Sequence, residues 1–193
     1  ARLGGGGVRS GRGSDLRARV GAIEAGRCGV AVVGVVADRA APGLELAVAR
    51  NIATAVVPLR KRDDRTAWNQ QLTDVVARWS PDAVALMGFM KVLGAPFLER
   101  FDRRILNVHP ALLPAFPGEH GAADALAAGV RITGCTVHLV DAGVDTGDIV
   151  AQAAVPVLAD DTADTLQARI QVAEHRLFPA VLSALATGAL TLS

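Results

Sequence analysis

The sequence predicts an α/β fold in which a parallel N-terminal sheet, covered by helices on both faces, continues into a mixed C-terminal half. Three observations carry that expectation. Six Val-rich apolar runs recur along the chain, beginning at Val30, Ala53, Asp82, Arg104, Ile132 and Asp148. Helix-period segments separate the early runs, the alternation expected of a parallel sheet. The late runs follow one another without a long helix, as antiparallel or mixed strands do.

Such a domain should open with a buried strand, but the chain begins "ARLGGGGV", with glycines where Val and Ile belong. Glycine weakens a strand interior, so the sequence leaves open whether the 4–7 run forms the first strand. "SGRGSDL" (10–16) then sets glycines and a serine just before a helical segment. That arrangement aims backbone amides and a helix start at a phosphate; read as plain turn chemistry, Ser14 or Asp15 would cap the helix. "VAVVGVVA" and "ATAVVPL" read as strands flanking the helix "GLELAVARN". In "DRTAWNQQLTDVVARW" the residues Trp68, Leu72, Val75, Val76 and Trp79 recur at three- and four-residue steps, one apolar helix face. Arg65 at its start offers a fixed cation.

"DAVALMGF" and "RILNVH" are the next strands. The alternation of the second turns Asn107 and His109 to one side of the strand's end. Pro110, Pro114 and Pro117 then exclude both helix and interior strand, because each lacks an amide donor and fixes its φ. A stiff loop follows, closed by Gly118. "ITGCTVHLV" and "DIVAQAAVPV" read as the last strands. A closing helix is expected from about residue 162, with Asp160 or Asp161 as its cap and Pro179 kinking or dividing it.

A chain of 193 residues suits a single domain with a sizeable core. Its net charge of +1, from 20 Lys and Arg against 19 Asp and Glu, is unevenly spread. Arginines gather in the first third and aspartates between Asp141 and Asp164. The arginines are scattered among Gly and Ala with no aromatic interleaving and no Tyr, which argues against a nucleic-acid partner and for a small phosphorylated ligand. No apolar run approaches the roughly 20 residues that span a bilayer. No secretory segment is recognisable at the start either, so no membrane partner is expected and cytoplasm is the expected compartment. Cys28 and Cys135, far apart and outside any C-x-x-C pattern, read as small apolar residues.

The Asn-x-His pair points to acyl transfer. Asn can donate to a developing oxyanion, and His can carry a proton near neutral pH. Its place at a strand's carboxyl end is where α/β proteins bind ligands. An acid should complete the set, and "DAGVDTGDIV" offers Asp141, Asp145 and Asp148; spacing does not choose among them, and all three also suit Asx turns. No metal is expected, since His138 lies in a different strand and no H-x-x-x-H or H-E-x-x-H spacing occurs. With no G-x-S-x-G elbow and no cysteine in a catalytic setting, direct transfer is left.

Taken together, "GRGSDL", "GFMKVLG", "LNVHPALLPAFPGEHG", "TVHLVDAGVDTGDIVAQ" and "QVAEHRLFP" resemble the phosphoribosylglycinamide formyltransferase family, in the family's order, from about residue 10 to the C-terminus. The resemblance implies a Rossmann-like formyltransferase fold in a single domain spanning 1–193. About 1–100 would be the half binding the ribonucleotide phosphate, and about 101–193 the catalytic and folate-cleft half. It implies formyl transfer from 10-formyltetrahydrofolate to the amine of 5′-phosphoribosylglycinamide in purine (IMP) biosynthesis, with Asn107, His109 and Asp145 as catalytic set. The ribonucleotide would meet Gly13, Ser14, Asp15, Arg65, Pro110, Gly118 and Glu174. Folate would lie against Met90, Lys91, Val92 and Leu93 and against Val140, Asp141, Ala142, Gly143 and Val144, with His120 and His138 in support. This sequence departs from the family's pattern at Asp15, where Asn is usual, at Lys91, where Arg is common, and in the glycine run.

Three other readings share parts of this pattern. Methionyl-tRNA formyltransferases and formyltetrahydrofolate hydrolases have the same catalytic set but carry, respectively, an RNA-binding domain after this core and a regulatory domain before it. Neither is expected from the 193 residues. A catalytically inactive nucleotide-binding relative is the reading from a different class, and the intact Asn107, His109 and Asp145 set speaks against it. The sequence leaves the oligomeric state open, a homodimer included.

Overall fold

The computed structural model describes residues 2–6, 29–40, 42–89 and 91–192, with 2–6 and Pro42 described by backbone alone. Among these residues the chain runs β1 (Arg2–Gly6), β2 (Ala31–Ala37), α1 (Pro42–Val48), β3 (Ala53–Val56), α2 (Arg65–Arg78) and β4 (Ala83–Leu86). It continues through α3 (Ala95–Arg100), β5 (Ile105–His109), α4 (Gly121–Ala127), β6 (Ile132–Leu139), β7 (Ile149–Pro156) and α5 (Ala163–Thr187). The strands form one seven-stranded sheet in the order β3-β2-β1-β4-β5-β6-β7. From β3 to β5 the neighbours are parallel; β6 is antiparallel to β5, and β7 to β6. The α/β class with a parallel first half and a mixed second half is therefore the observed one. Because the chain moves outward from β1 to β3 and then returns to start β4 on β1's other side, strand order reverses at β1 and opens a crevice at the carboxyl ends.

Val-rich strands follow from helices on both faces. Val35, Ala37, Ala85, Met87 and Leu106 pack with Leu44 and Ala47 of α1 and with Phe178, Val181 and Leu182 of α5. Their strand neighbours Val36, Val84, Leu86 and Ile105 turn the other way, onto Trp68, Leu72 and Val76 of α2 and Phe97 of α3. β2, β4 and β5 thus feed two cores, which favours apolar residues on both of their faces. A third cluster, Ala122, Cys135, Val155, Leu166 and Ile170, closes the antiparallel end. No helix of the described residues is long and apolar enough to cross a membrane.

Glycines 4–6 of the run do form a strand, and Gly7 lies outside the described residues. β1 pairs with β2 on one side and β4 on the other, so its backbone groups are satisfied along both edges. That double ladder overrides the weak strand propensity of glycine. At Gly34 a glycine is required for space: a Cβ there would stand 2.2 Å from the Trp79 ring.

The expected cap of α5 is corrected, and Pro179 does not divide the helix. Its cap is Thr162, not Asp160 or Asp161; the Thr162 side chain accepts from Thr165 N and the Thr165 side chain accepts from Thr162 N, a capping box. Asp161 instead takes a bidentate pair from Arg169 at 2.5 and 2.9 Å, and that guanidinium holds its carboxyl well below the usual carboxylate range. Pro179 lies inside a helix that continues to Thr187. A helix-interior proline costs about 3 kcal/mol, whereas burying each of Phe178, Val181 and Leu182 beside it returns roughly 1.5–3 kcal/mol. Helices α3 and α4, six and seven residues long, are additions to the elements expected from sequence. In α2, Asn69 and Thr73 are buried while Val75 and Trp79 are only half-buried.

The Thr133 hydroxyl is 1 % exposed as part of its residue and has no hydrogen-bond partner among the described residues. Valine has the same shape without the desolvated oxygen. Thr133→Val is expected to raise stability by about 1 kcal/mol, or about 2–4 °C in Tm at this chain length. A thermal melt in which the variant unfolds earlier than the parent contradicts this account of the hydroxyl.

Candidate active site

β5 delivers its polar residues to the crevice because it ends there. His109 is 3 % exposed, and each of its ring nitrogens faces an acceptor. Nε2 donates to the Phe116 carbonyl at 2.7 Å, and Nδ1 lies 3.3 Å from Asp145 Oδ2. With an acceptor on either side, the ring fits the site as an imidazolium. The antiparallel register places His138 of β6 directly opposite Asn107. His138 donates from Nδ1 to the Leu139 carbonyl at 2.7 Å, and its Nε2 lies 3.3 Å from the Asn107 amide nitrogen. Asp145 Oδ1 stands 3.4 Å from the same Nε2.

Asp145 therefore sits between two histidines, and the Gly118 amide donates to its Oδ2 at 2.9 Å. Burial works to raise its pKa; the hydrogen bond with His138, the Gly118 amide and the charge of His109 outweigh it and hold the carboxyl below its ordinary value. Both residues that present acceptors to His109 have left-handed backbones, Phe116 and Asp145 each at φ 55°. Non-glycine residues adopt that region at a cost of order 1–3 kcal/mol, and such strain concentrates at functional sites. The other two aspartates of this loop are engaged elsewhere. Asp141 accepts from Gly143 N and Thr146 Oγ1 at 3.0 and 2.7 Å in an Asx turn, and Asp148 pairs with Arg103 at 3.0 Å. Geometry brings Asp145 to His109, where spacing alone left three choices.

Asn107, His109, His138 and Asp145 lie in the lining of a cleft of about 480 Å³, a size that suits a small-molecule site. One wall follows β4 and includes Phe89, Lys91, Val92 and Leu93; a second is Val140, Asp141, Gly143 and Val144. Pro110, Gly118 and Glu119 form a third side, and Gln167, Gln171 and Glu174 of α5 a fourth. Three attachments pin the first wall. Lys91 forms an ion pair with Asp38 at the end of β2, Arg65 donates to the Val92 carbonyl at 2.8 Å, and Asn69 accepts from Gly94 N at 2.6 Å. A Cβ on Gly94 would meet the Asn69 side chain at 2.7 Å, so glycine permits that approach.

Of the residues expected from sequence, Gly13, Ser14, Asp15 and Met90 lie outside the described residues. Ala142 is not in the cleft lining; it lines an adjoining depression of about 540 Å³ with Leu98 and Arg103. His120 is exposed at the start of α4 and is not in the cleft lining. Arg65 is likewise not in that lining; it grips the wall from behind. Sequence reasoning missed Asp38, Asn69, the Phe116 carbonyl, Gln167 and Gln171. Only the last two left a signal: with Glu174 they repeat at i, i+4 and i+7, a polar stripe on an otherwise apolar helix.

The fold and this cleft define a formyl transferase, and the formyl transferase family model matches residues 8–182. The phosphoribosylglycinamide formyltransferase of Mycobacterium tuberculosis is 50% identical over 184 residues, covering 95% of this chain and 85% of that protein. The trifunctional purine biosynthetic protein adenosine-3 of Bos taurus is 40% identical over 184 residues, 95% of this chain and 18% of that much longer protein. The crystal structure of glycinamide ribonucleotide transformylase 1 from Symbiobacterium toebii superposes with a TM-score of 0.91 at 41% identity, covering 100% of this chain and 90% of that one. The chain belongs to the phosphoribosylglycinamide formyltransferase family.

The wall attachment at Asp38 makes a pH prediction. Its side chain is 8% exposed; burial raises its pKa, but hydrogen bonds and charge from Arg39 and Lys91 prevail and lower it. A folded-state pKa below the unfolded value of about 3.9 means stability that is complete above that value and lost as pH falls through the folded one. Asp38→Asn should therefore melt earlier than the parent at pH 7, with the gap closing below about pH 4. A gap in Tm that stays constant down to pH 2.5, the low end of the scan, would remove the ion pair from the account.

Proposed function

We propose that this protein transfers the formyl group of 10-formyltetrahydrofolate to the amine of 5′-phosphoribosylglycinamide in purine (IMP) biosynthesis, directly and without a covalent enzyme intermediate. The observation that carries this reading is the convergence of Asn107, His109 and Asp145 in one cleft, with His109 held between two acceptors. The substrate amine attacks the formyl carbon, and the formyl oxygen becomes negative. The Asn107 amide and the protonated His109 ring meet that oxygen; Nε2–H exchanges the Phe116 carbonyl for the stronger, charged acceptor. Preorganised donors of this kind are worth about 3–4 kcal/mol each in the transition state. Asp145 keeps His109 charged and, through water, carries the proton from the attacking amine to the folate nitrogen as the carbon–nitrogen bond to folate breaks.

The remaining assignments follow the same reading. Lys91, Val92 and Leu93 and the 140–144 segment form the folate walls, joined by Met90. Pro110, Gly118 and Glu174 bound the glycinamide and ribose of the nucleotide, whose phosphate falls to Gly13, Ser14 and Asp15 with Arg65 beside them. His138, opposite Asn107 and beside Asp145, supports the catalytic set. About 1–100 is the phosphate-binding half and about 101–193 the catalytic half of one domain. The protein works in the cytoplasm on small molecules, with no nucleic-acid or membrane partner and no metal.

His109→Ala should lower kcat by about 10²–10³ while leaving folate affinity nearly intact, since the ring acts on the transition state. The check is formyl transfer from 10-formyltetrahydrofolate with glycinamide ribonucleotide, water and methionyl-tRNA offered as acceptors. Preference for either of the last two, or near-normal turnover by the variant, overturns the proposal. In the same assay Asp145→Asn should lose most turnover while Asp148→Asn, which removes only an exposed pair with Arg103, stays close to the parent. Equal losses in the two would detach Asp145 from the chemistry.

A further inference from the structure

The loop between β5 and α4 presents to His109 and Asp145 the Phe116 carbonyl and the Gly118 amide. Both contacts are made to reacting groups, so they cannot by themselves fix where the loop stands. Pro110, Pro114 and Pro117 have no amide to anchor it. Ala111 and Leu113 of the loop are buried, and two side chains from neighbouring strands hydrogen-bond its backbone. Thr136 of β6, fully buried, donates from Oγ1 to the Ala111 carbonyl at 2.7 Å and accepts from Leu113 N at 3.0 Å. Gln152 of the edge strand β7 donates from Nε2 to the Leu113 carbonyl at 2.9 Å and to Thr136 Oγ1 at 3.0 Å.

The donor and acceptor count closes. A threonine hydroxyl has one hydrogen and two lone pairs, and all three are used; a glutamine amide nitrogen has two hydrogens, and both are used. The hydroxyl's hydrogen is committed to Ala111, so toward Gln152 it can only accept. Gln152 must therefore present its nitrogen to the loop, and a residue on an exposed edge strand acquires a defined chemical role.

We infer that Thr136 and Gln152 are positioning residues for formyl transfer, a clamp on the 110–118 loop that sets the ring of His109 between the Phe116 carbonyl and Asp145. The inference rests on the proposed role of His109 and adds two residues that never touch substrate. Misplacement of a reacting group by about 1 Å costs on the order of 10²-fold in rate. A clamp of this kind acts on kcat and leaves the affinity for folate alone.

The test uses Gln152→Glu, Thr136→Val and Thr136→Ser in the full chain, with kcat, the KM for 10-formyltetrahydrofolate and the ring-nitrogen resonances of His109 in the ligand-free protein as readouts. Glutamate matches glutamine in shape but offers only acceptors to the Leu113 carbonyl and the Thr136 lone pair; valine keeps the shape of threonine without its hydroxyl. Both variants should lose about 10-fold or more in kcat, with KM within about twofold and altered His109 nitrogen resonances. Thr136→Ser keeps the hydroxyl and should stay within about twofold of the parent. A normal kcat in either Gln152→Glu or Thr136→Val overturns the clamp, as does a loss in Thr136→Ser as large as that in Thr136→Val, or a lower Tm with kcat unchanged. If Gln152→Glu does not fold, the comparison of valine with serine at position 136 decides alone. A parent protein that fails to formylate glycinamide ribonucleotide refutes the proposed function, while unchanged His109 resonances in the variants refute the clamp.

Discussion

A carboxylate withdrawn from water is tolerated only where donors replace the water it loses, and Asp145 imposes that demand at the centre of this protein. Its partners come from three places: His109 at the end of β5, Gly118 in the proline loop and His138 in β6. All three can reach it only if β5 and β6 lie side by side with residue 107 opposite residue 138, and only if the proline loop folds back over the strand ends. The turn from parallel to antiparallel pairing at β5 is thus a condition of the site. So is the left-handed backbone at Phe116 and Asp145, whose cost is offset by the hydrogen bonds that hold both residues to His109.

The cleft walls show a second use of the same chemistry. Asp38, Arg65 and Asn69 hold the 91–94 segment through a side-chain ion pair, a carbonyl and an amide, while Asp141 holds the opposite loop through Gly143 and Thr146. These bonds use polar side chains and backbone groups, so the apolar side chains that face the cleft remain bare. Val92 and Val144, 60% and 59% exposed, both line it. Large apolar groups left in water on opposite walls become favourable when a flat ligand covers them. Preorganised walls also spare a ligand the entropy of ordering them.

Beneath the site the sheet is stiff for a simple reason. Its central strands are buried on both faces by helices whose apolar residues meet them from each side. That packing tolerates a glycine strand at β1 and a proline in α5, two local choices that would fail in isolation. It also carries the strand ends, and hence Asn107 and His109, without slack.

The sequence by itself determined the elements whose signal is periodic or compositional. Val-rich runs marked six strands, most clearly the central ones, where burial on both faces demands apolar residues at successive positions. Trp68, Leu72 and Val76 marked α2 by their spacing, and Asn107 with His109 marked a chemical face by the two-residue period of a strand. Tertiary structure alone decided the rest. β1 is a strand only because neighbours satisfy its backbone on both edges, and Pro179 is accommodated only because the residues around it pack on the sheet. Among Asp141, Asp145 and Asp148, chemically identical and a few residues apart, the loop's path placed one against His109. The Phe116 carbonyl and the hydroxyl of Thr136 left no mark at all, because every residue has a carbonyl and threonine is an ordinary strand residue. Such groups acquire a function only when the fold supplies the partner, and partners distant in sequence are a property of three dimensions.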